Sequence, residues 1–273
     1  MGAGEKALGI LGCGWLGFPL GKRLLQEGYV VKGSTTSPDK FGSLGTAGID
    51  PFLVEVLPTE IKGDINAFLE GLETLILDFP PGIRNQPASA YINAVEGLLG
   101  ELRRSSVKKL LFVSSISVYE DLGTFPLYTE LESPNASSDR GKALWVVEEL
   151  LRTEESFKTT VLRLGGLIGP ERHPVTSLAG RKGIANGEAP VNLIHQEDCI
   201  GIILEVLKKD SFGEIYNAVY PHHPSKAQYY RQMARLQGLK VPEFENDKSK
   251  GKIIGSSRVE KLLEYQFTGN ILK

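Results

Sequence analysis

Short apolar or β-branched runs alternate along the chain with longer stretches of amphipathic spacing. The runs at 7–11, 29–34, 52–56, 74–79, 109–115 and 159–164 predict strands. Helical stretches at 16–27, 87–104 and 142–153 fall between several of them, while the connections at 37–48 and 60–69 are short. Regular strand-helix alternation predicts an α/β fold with a doubly wound parallel sheet. After Gly165 the pattern loosens into Gly/Pro-punctuated sequence, with strands expected at 190–194 and 214–219 and helices at 197–208, 226–237 and 257–263. The expected division is a nucleotide-binding domain over 1–165 and a smaller C-terminal α+β substrate lobe over 166–273, part of 190–220 returning to the sheet.

The segment GILGCGWLGFPLGKRLL sets Gly12, Gly14 and Gly17 in a GxGxxG pattern directly after the first strand and before the first helix. In a Rossmann-type sheet the first glycine permits a tight turn, the second lets a pyrophosphate approach the backbone, and the third allows close helix-strand packing. The helix amides and dipole then face the anion. NAD or NADP is therefore the expected cofactor, held by Gly12, Gly14, Trp15, Leu16 and Gly17; the competing reading is a glycine-rich structural turn. An acid at the end of the second strand would accept hydrogen bonds from the adenosine ribose and favour NAD. Here Thr35 occupies that place, and Ser34, Thr36 and Lys40 are in reach of a 2′-phosphate, which favours NADP. Asp39 as a substitute acid is the argument for NAD. Phe79, Pro80 and Pro81, with Asp78 before them, follow the fourth strand and either line the cofactor or form a Pro-stiffened turn.

Charge and composition narrow the partners. Lysine and arginine total 31 against 33 acids, without the clustered basic face that nucleic acid requires. Two cysteines, Cys13 and Cys199, supply neither a disulfide framework nor a four-ligand zinc site. His222 and His223, flanked by prolines, lack a third convergent ligand and read as a turn, so no metal is expected. No uncharged apolar run approaches the about 20 residues that span a bilayer. A cytoplasmic monomer or homodimer is expected, with a nicotinamide dinucleotide and a small-molecule substrate as partners and neither nucleic acid nor membrane among them.

KKLLFVSSISVYED resembles the fifth-strand segment of the extended short-chain dehydrogenase/reductase family, where the strand ends in SS-x-x-VY-G. TELESP, VLRLGGLIGPERHP, NLIHQED and SSRVEKLLEYQF resemble further family segments, so the likeness runs from about Leu8 to Phe267. It is greatest to the atypical bacterial members described as NAD-dependent epimerase/dehydratases, with openings like GCGWLG. The resemblance implies that Ser115 is the catalytic serine, polarising a substrate carbonyl or hydroxyl, with Ser114 beside it at the cofactor. It places Arg163, Gly165 and Gly166 where the sixth strand passes the nicotinamide, and Arg172, His173, His195 and Asp198 in the substrate lobe. Helix capping is the plainer role for Glu197 and Asp198.

The family's Tyr-x-x-x-Lys pair, expected about 25 residues after the serine, uses a tyrosinate held by the lysine to move the alcohol proton. This chain reads SSDRGKALWVVEELL there. Aligning on Glu148 puts Arg140 and Leu144 in the two slots; aligning on Glu149 puts Gly141 and Trp145 there. Neither register restores the pair. Lys142, Tyr119 and Tyr128 are the substitutes within reach in sequence, each with a structural role as its plainer reading. The resemblance implies an NAD(P)-dependent oxidoreductase or epimerase acting on an unidentified small polar substrate. The alternatives are an NAD(P)-sensing regulatory protein without turnover and a cofactor-free scaffold.

Overall fold

The computed structural model describes residues 7–79, 87–269 and 271. The first half contains β1 (Ala7–Leu11), α1 (Gly17–Gln26), β2 (Val30–Thr35), α2 (Phe41–Thr46), β3 (Asp50–Val56), β4 (Ile61–Gly63), α3 (Ile65–Leu69), β5 (Thr74–Leu77), α4 (Ala88–Arg104) and β6 (Lys109–Ser115). The second contains β7 (Leu127–Tyr128), α5 (Asp139–Arg152), β8 (Lys158–Leu164), β9 (Gly166–Ile168), α6 (Pro174–Leu178), β10 (Leu193–His195), α7 (Gln196–Lys208), β11 (Ile215–Ala218), α8 (Lys226–Leu236), β12 (Ile253–Ile254) and α9 (Ser257–Leu262).

Eight strands form one sheet in the order β11-β8-β6-β5-β1-β2-β3-β4. β1 lies at a crossover, parallel to β2 on one side and to β5 on the other. β2–β3 and β5–β6 are also parallel. β11 runs in constant offset beside β8, with the Val161 and Gly165 amides donating to the Glu214 and Ala218 carbonyls. This is the Rossmann-type sheet, mostly parallel, with an additional α+β portion. The central strands are apolar on both faces, because helices cover both sides of such a sheet; Leu8, Ile10, Leu11, Leu75, Ile76 and Leu77 are all buried. α1 buries Gly17, Leu20, Gly21 and Leu24, one stripe at helical spacing.

Among the segments that differ from the pattern-based expectation, two bear on strand pairing. The short link at 60–69 divides into β4, antiparallel to β3, and α3, which starts where the Asp64 carboxylate accepts the Ala67 amide at 2.9 Å. A three-residue edge strand is too short to show alternation. The strand expected at 190–194 is instead β10, paired with β9 outside the main sheet. Pro190 has no amide to give a ladder, and the Asn192 side chain binds the Lys252 carbonyl and the Ile254 amide.

By its internal contacts the chain divides into two compact units. The first takes the residues up to Ser114 together with Ser138–Leu162 and Asp210–Ile215; the second takes Ser115–Ser137, Arg163–Lys209 and the residues from Tyr216 onward. α4 and α5 pack together in the first unit. In the second, α8 turns Tyr229, Tyr230, Met233 and Ala234 into a core shared with Val175, Val191, Leu193 and Ile271. Among the described residues no helix is long and apolar enough to cross a membrane.

Candidate functional site

In the first unit β1 ends at Leu11, whose carbonyl accepts the Asp78 amide at 2.9 Å. The chain turns at Gly12 with φ 114°, a conformation that L side chains rarely adopt, and a Cβ there would land on the Asp78 carbonyl oxygen. Ser34 clamps the turn from the neighbouring strand: its hydroxyl accepts the Gly12 amide at 2.9 Å and its carbonyl accepts the Cys13 amide at 2.7 Å. A Cβ on Gly14 would meet nothing within 4 Å, so the backbone there stands open. α1 then begins with no side-chain cap and no acid in its first turn. An uncapped helix start beside bare backbone suits an anion.

The turn forms one wall of a cavity of about 420 Å³. Gly12, Cys13 and Gly14 face Ser34, Thr35, Thr36 and Lys40 at the end of β2, and residues 54–58 continue the wall from β3. Asp78 and Phe79 follow β5, and Ala90, Tyr91 and Ala94 close the cavity from α4. Thr35 is buried and its hydroxyl accepts the Ser37 amide at 3.1 Å, whereas Thr36 and Lys40 are exposed. Lys40 makes no ion pair among the described residues, so its ammonium is uncommitted there. Tyr91 packs edge-on to Phe79 at 5.5 Å. Burial, with smaller contributions from the Glu148 and Asp78 carboxylates, pushes its phenol above the usual tyrosine range, and the Arg140 guanidinium opposes them. Burial, with the Asp78 carboxylate adding to it, pushes the Cys13 thiol up to about 12. That thiol is a small buried packing group, unreactive near neutral pH.

The structure thus gathers Gly12, Gly14, Ser34, Thr35, Thr36, Lys40 and Phe79 around one cavity. Trp15, Leu16, Gly17 and Ser114 do not line it, and Pro80 and Pro81 lie outside the described residues. Leu16 and Gly17 are buried at the start of α1. The Ser114 hydroxyl donates to Glu148 Oε1 at 2.6 Å, both groups buried. Residues 54–58 and Tyr91 were not singled out from the sequence; the one available signal was that strand ends on this edge of a doubly wound sheet converge. α5 starts at Asp139, earlier than the pattern suggested, because the Ser138 hydroxyl accepts the Gly141 amide. It leaves Arg140, Lys142 and Trp145 exposed and buries Leu144.

The remaining candidates belong to the second unit. Ser115 is half-buried and its hydroxyl accepts the Ser117 amide at 3.2 Å, capping the 3₁₀ turn Ile116–Val118. Tyr119 and Tyr128 are buried and stacked, with ring centroids 4.8 Å apart. The Tyr119 hydroxyl donates to the Thr129 carbonyl at 2.9 Å and accepts from the fully buried Arg163 guanidinium at 2.5 Å. Asn135 donates to the Tyr128 hydroxyl. Gly165 and Gly166 donate their amides to the Ala218 and Asn192 carbonyls. His195 caps α7 through Nδ1, and the wholly buried Asp198 accepts from the Tyr265 hydroxyl and the Thr268 and Gly269 amides. Arg172 is exposed. His223 Nδ1 bonds the Val191 carbonyl, and among the described residues no His/Cys/Asp/Glu group is arranged to hold a metal.

A mostly parallel sheet with a glycine turn opening on a cavity at the β1 crossover defines a Rossmann-type protein. No protein-family model matches the chain. It is 37% identical over 269 residues to protein YeeZ of Escherichia coli K12, covering 96% of each chain. A UDP-glucose 4-epimerase of Yersinia pestis is 32% identical over 115 residues, which are 39% of this chain and 33% of that protein. In fold the chain matches a Bacillus cereus UDP-glucuronic acid 4-epimerase solved in complex with NAD, with TM-score 0.80 at 17% identity over 97% of this chain and 93% of that one. The chain belongs to the family of protein YeeZ, and its fold is that of the NAD-bound epimerase.

Proposed function

We propose that this chain binds a nicotinamide dinucleotide in the cavity of its first unit and acts as an oxidoreductase or epimerase on a small polar substrate. The observation that carries the reading is the pairing of open backbone at Gly14 with a Gly12 turn that no side chain fits. Those atoms and the uncapped start of α1 would hold the pyrophosphate. The wall made by Val54, Val56 and Leu57, with Glu55 as its acceptor, suits a flat heterocycle bearing an amino group. When bound, the nicotinamide supplies hydride acceptance and donation. Ser115 is the protein group offered to a substrate oxygen; a substrate there would compete with the Ser117 amide for its hydroxyl.

NADP is the favoured dinucleotide. No carboxylate occupies position 35, and Thr36 and the uncommitted Lys40 line the cavity on the solvent side, where a 2′-phosphate would be neutralised. Titrations followed by nicotinamide fluorescence are expected to give tighter binding of NADPH than NADH, with the preference falling in Lys40→Gln. NADH binding about tenfold tighter, or 1.4 kcal/mol, would overturn the NADP assignment.

A second reading, a dinucleotide-sensing protein without turnover, draws support from the absence of the Tyr-x-x-x-Lys pair. In one register the slots hold Arg140, permanently charged, and Leu144, and in the other Gly141 and Trp145; neither pair can move a proton as a tyrosine-lysine pair does. Tyr119 and Tyr128 have their hydroxyls engaged within the second unit. A substrate screen against wild type and Ser115→Ala separates the two: turnover lost in the variant supports the enzyme, and dinucleotide binding without turnover of any substrate supports the sensor.

A further inference from the structure

The geometry points to a second binding site, for an organic cation of the guanidinium or alkylammonium kind, in an aromatic groove of the second unit. The groove has a volume of about 480 Å³ and is lined by Tyr220, Tyr265 and Phe267 with Glu260 and Glu264 at its edge. Phe267 stands nearly perpendicular to both tyrosines, at 82° to Tyr220 and 87° to Tyr265, with centroids 6.1 and 5.7 Å away. Rings so disposed present faces in more than one direction, and an aromatic face attracts a cation through its quadrupole.

The groove is built rather than incidental. Asp198, fully buried, takes the Tyr265 hydroxyl at 2.9 Å, the Thr268 amide at 2.8 Å and the Gly269 amide at 3.0 Å, which fixes the chain on both sides of Phe267. The Tyr265 ring lies directly on Gly201, where even a Cβ would collide with it. Burial and the Asp198 carboxylate push the Tyr265 phenol above its ordinary range, so it stays protonated and keeps donating. The rings are therefore ordered before any ligand arrives, which removes a cost of binding.

Charge selects the occupant. Glu264 pairs with Lys209, whereas Glu260 is exposed and makes no ion pair among the described residues. A free carboxylate beside three aromatic rings complements a diffuse cation and repels an anion. The cation is either a free small molecule or a basic side chain of a peptide, and both present the same group.

The test is calorimetric titration of the full chain at low salt with methylguanidinium, with the peptide amide Ac-Gly-Arg-Gly, and with its uncharged citrulline counterpart. Both cations should bind at one site per chain, with the citrulline peptide weaker by about tenfold. An arginine peptide tighter than methylguanidinium assigns the site to peptides; equal affinities assign it to free cations. Glu260→Gln, an exposed change, should weaken both cations about threefold, and Phe267→Leu about tenfold with its melting temperature checked in parallel. Equal binding of the arginine and citrulline peptides, no saturation below about 50 mM cation, or wild-type affinity in both variants would overturn the proposal.

Discussion

The glycine turn and the end of the serine-bearing strand are made from similar parts, yet their polar groups are committed differently. At the turn, Ser34 spends its hydroxyl and carbonyl on the Gly12 and Cys13 amides, and the backbone at Gly14 faces open space with Thr36 and Lys40 beside the same cavity. At the strand end, Ser114 is bonded to Glu148, Ser115 caps the following turn, and Tyr119 is held between Arg163 and a carbonyl. Buried polar groups are costly unless paired; both regions pair most of theirs internally, the exception at the strand end being the buried Ser117 hydroxyl. Among the described residues of the two regions, those lining a ligand-sized cavity belong to the first. The turn keeps an open, cavity-facing backbone, while the slot where the resembled family carries its tyrosine holds Arg140 or Gly141, depending on register.

The strongest way to break this contrast is at the turn. Gly12→Ala forces a side chain into left-handed backbone and onto the Asp78 carbonyl, and should cost about 2–4 kcal/mol of stability. Urea denaturation reads it directly; a loss below about 0.5 kcal/mol would mean the turn is not under this constraint. Next in size, Tyr119→Phe leaves Arg163 short of a buried acceptor and should cost about 1–3 kcal/mol while leaving dinucleotide affinity unchanged. If it instead abolished turnover at full stability, the hydroxyl would be catalytic rather than architectural.

A smaller effect depends on pH. His173 accepts the Val175 amide at Nδ1, so its Nε2–H faces Tyr229, whose hydroxyl donates to the Ile271 carbonyl. Burial holds its pKa below the ordinary value, so the folded state favours the neutral ring. Its contribution to stability is therefore fully present above the unfolded value of about 6.5 and is lost as pH falls from there through the lower folded value, because over that range the unfolded chain binds the proton more readily. The fall in Tm between about pH 7.5 and 5.5 should be shallower in His173→Gln, which cannot titrate in this range. Equal slopes in the two proteins would remove His173 from the account.

The cradle was legible in the sequence because steric necessity leaves a compositional mark: only glycine fits position 12, and the strand before it and helix after it have distinct periodicities. The β3 wall at residues 54–58 left no such mark, since an apolar strand end reads the same whether it faces a ligand or a core. Contacts between distant residues were equally silent. Arg163 meets Tyr119 across 44 positions and Asp198 meets Gly269 across 71, so their roles as network and anchor follow from the fold alone. Ser34 was singled out in the sequence as a candidate and lines the cavity, but its role as a clamp was not legible, because its partner is a backbone amide 22 residues away.

The proposed binding of a nicotinamide dinucleotide against the bare backbone of the glycine turn is tested most directly at Gly14. Gly14→Ala is the sharpest probe, because the added methyl meets nothing in the protein itself and intrudes only on a ligand. Fluorescence titration of NADPH into wild type and variant, with melting temperatures measured alongside, is expected to show saturable binding in the wild type and affinity weakened at least about tenfold in the variant at nearly unchanged stability. Equal affinity in the two proteins, or no nicotinamide dinucleotide bound by the wild type, would contradict it.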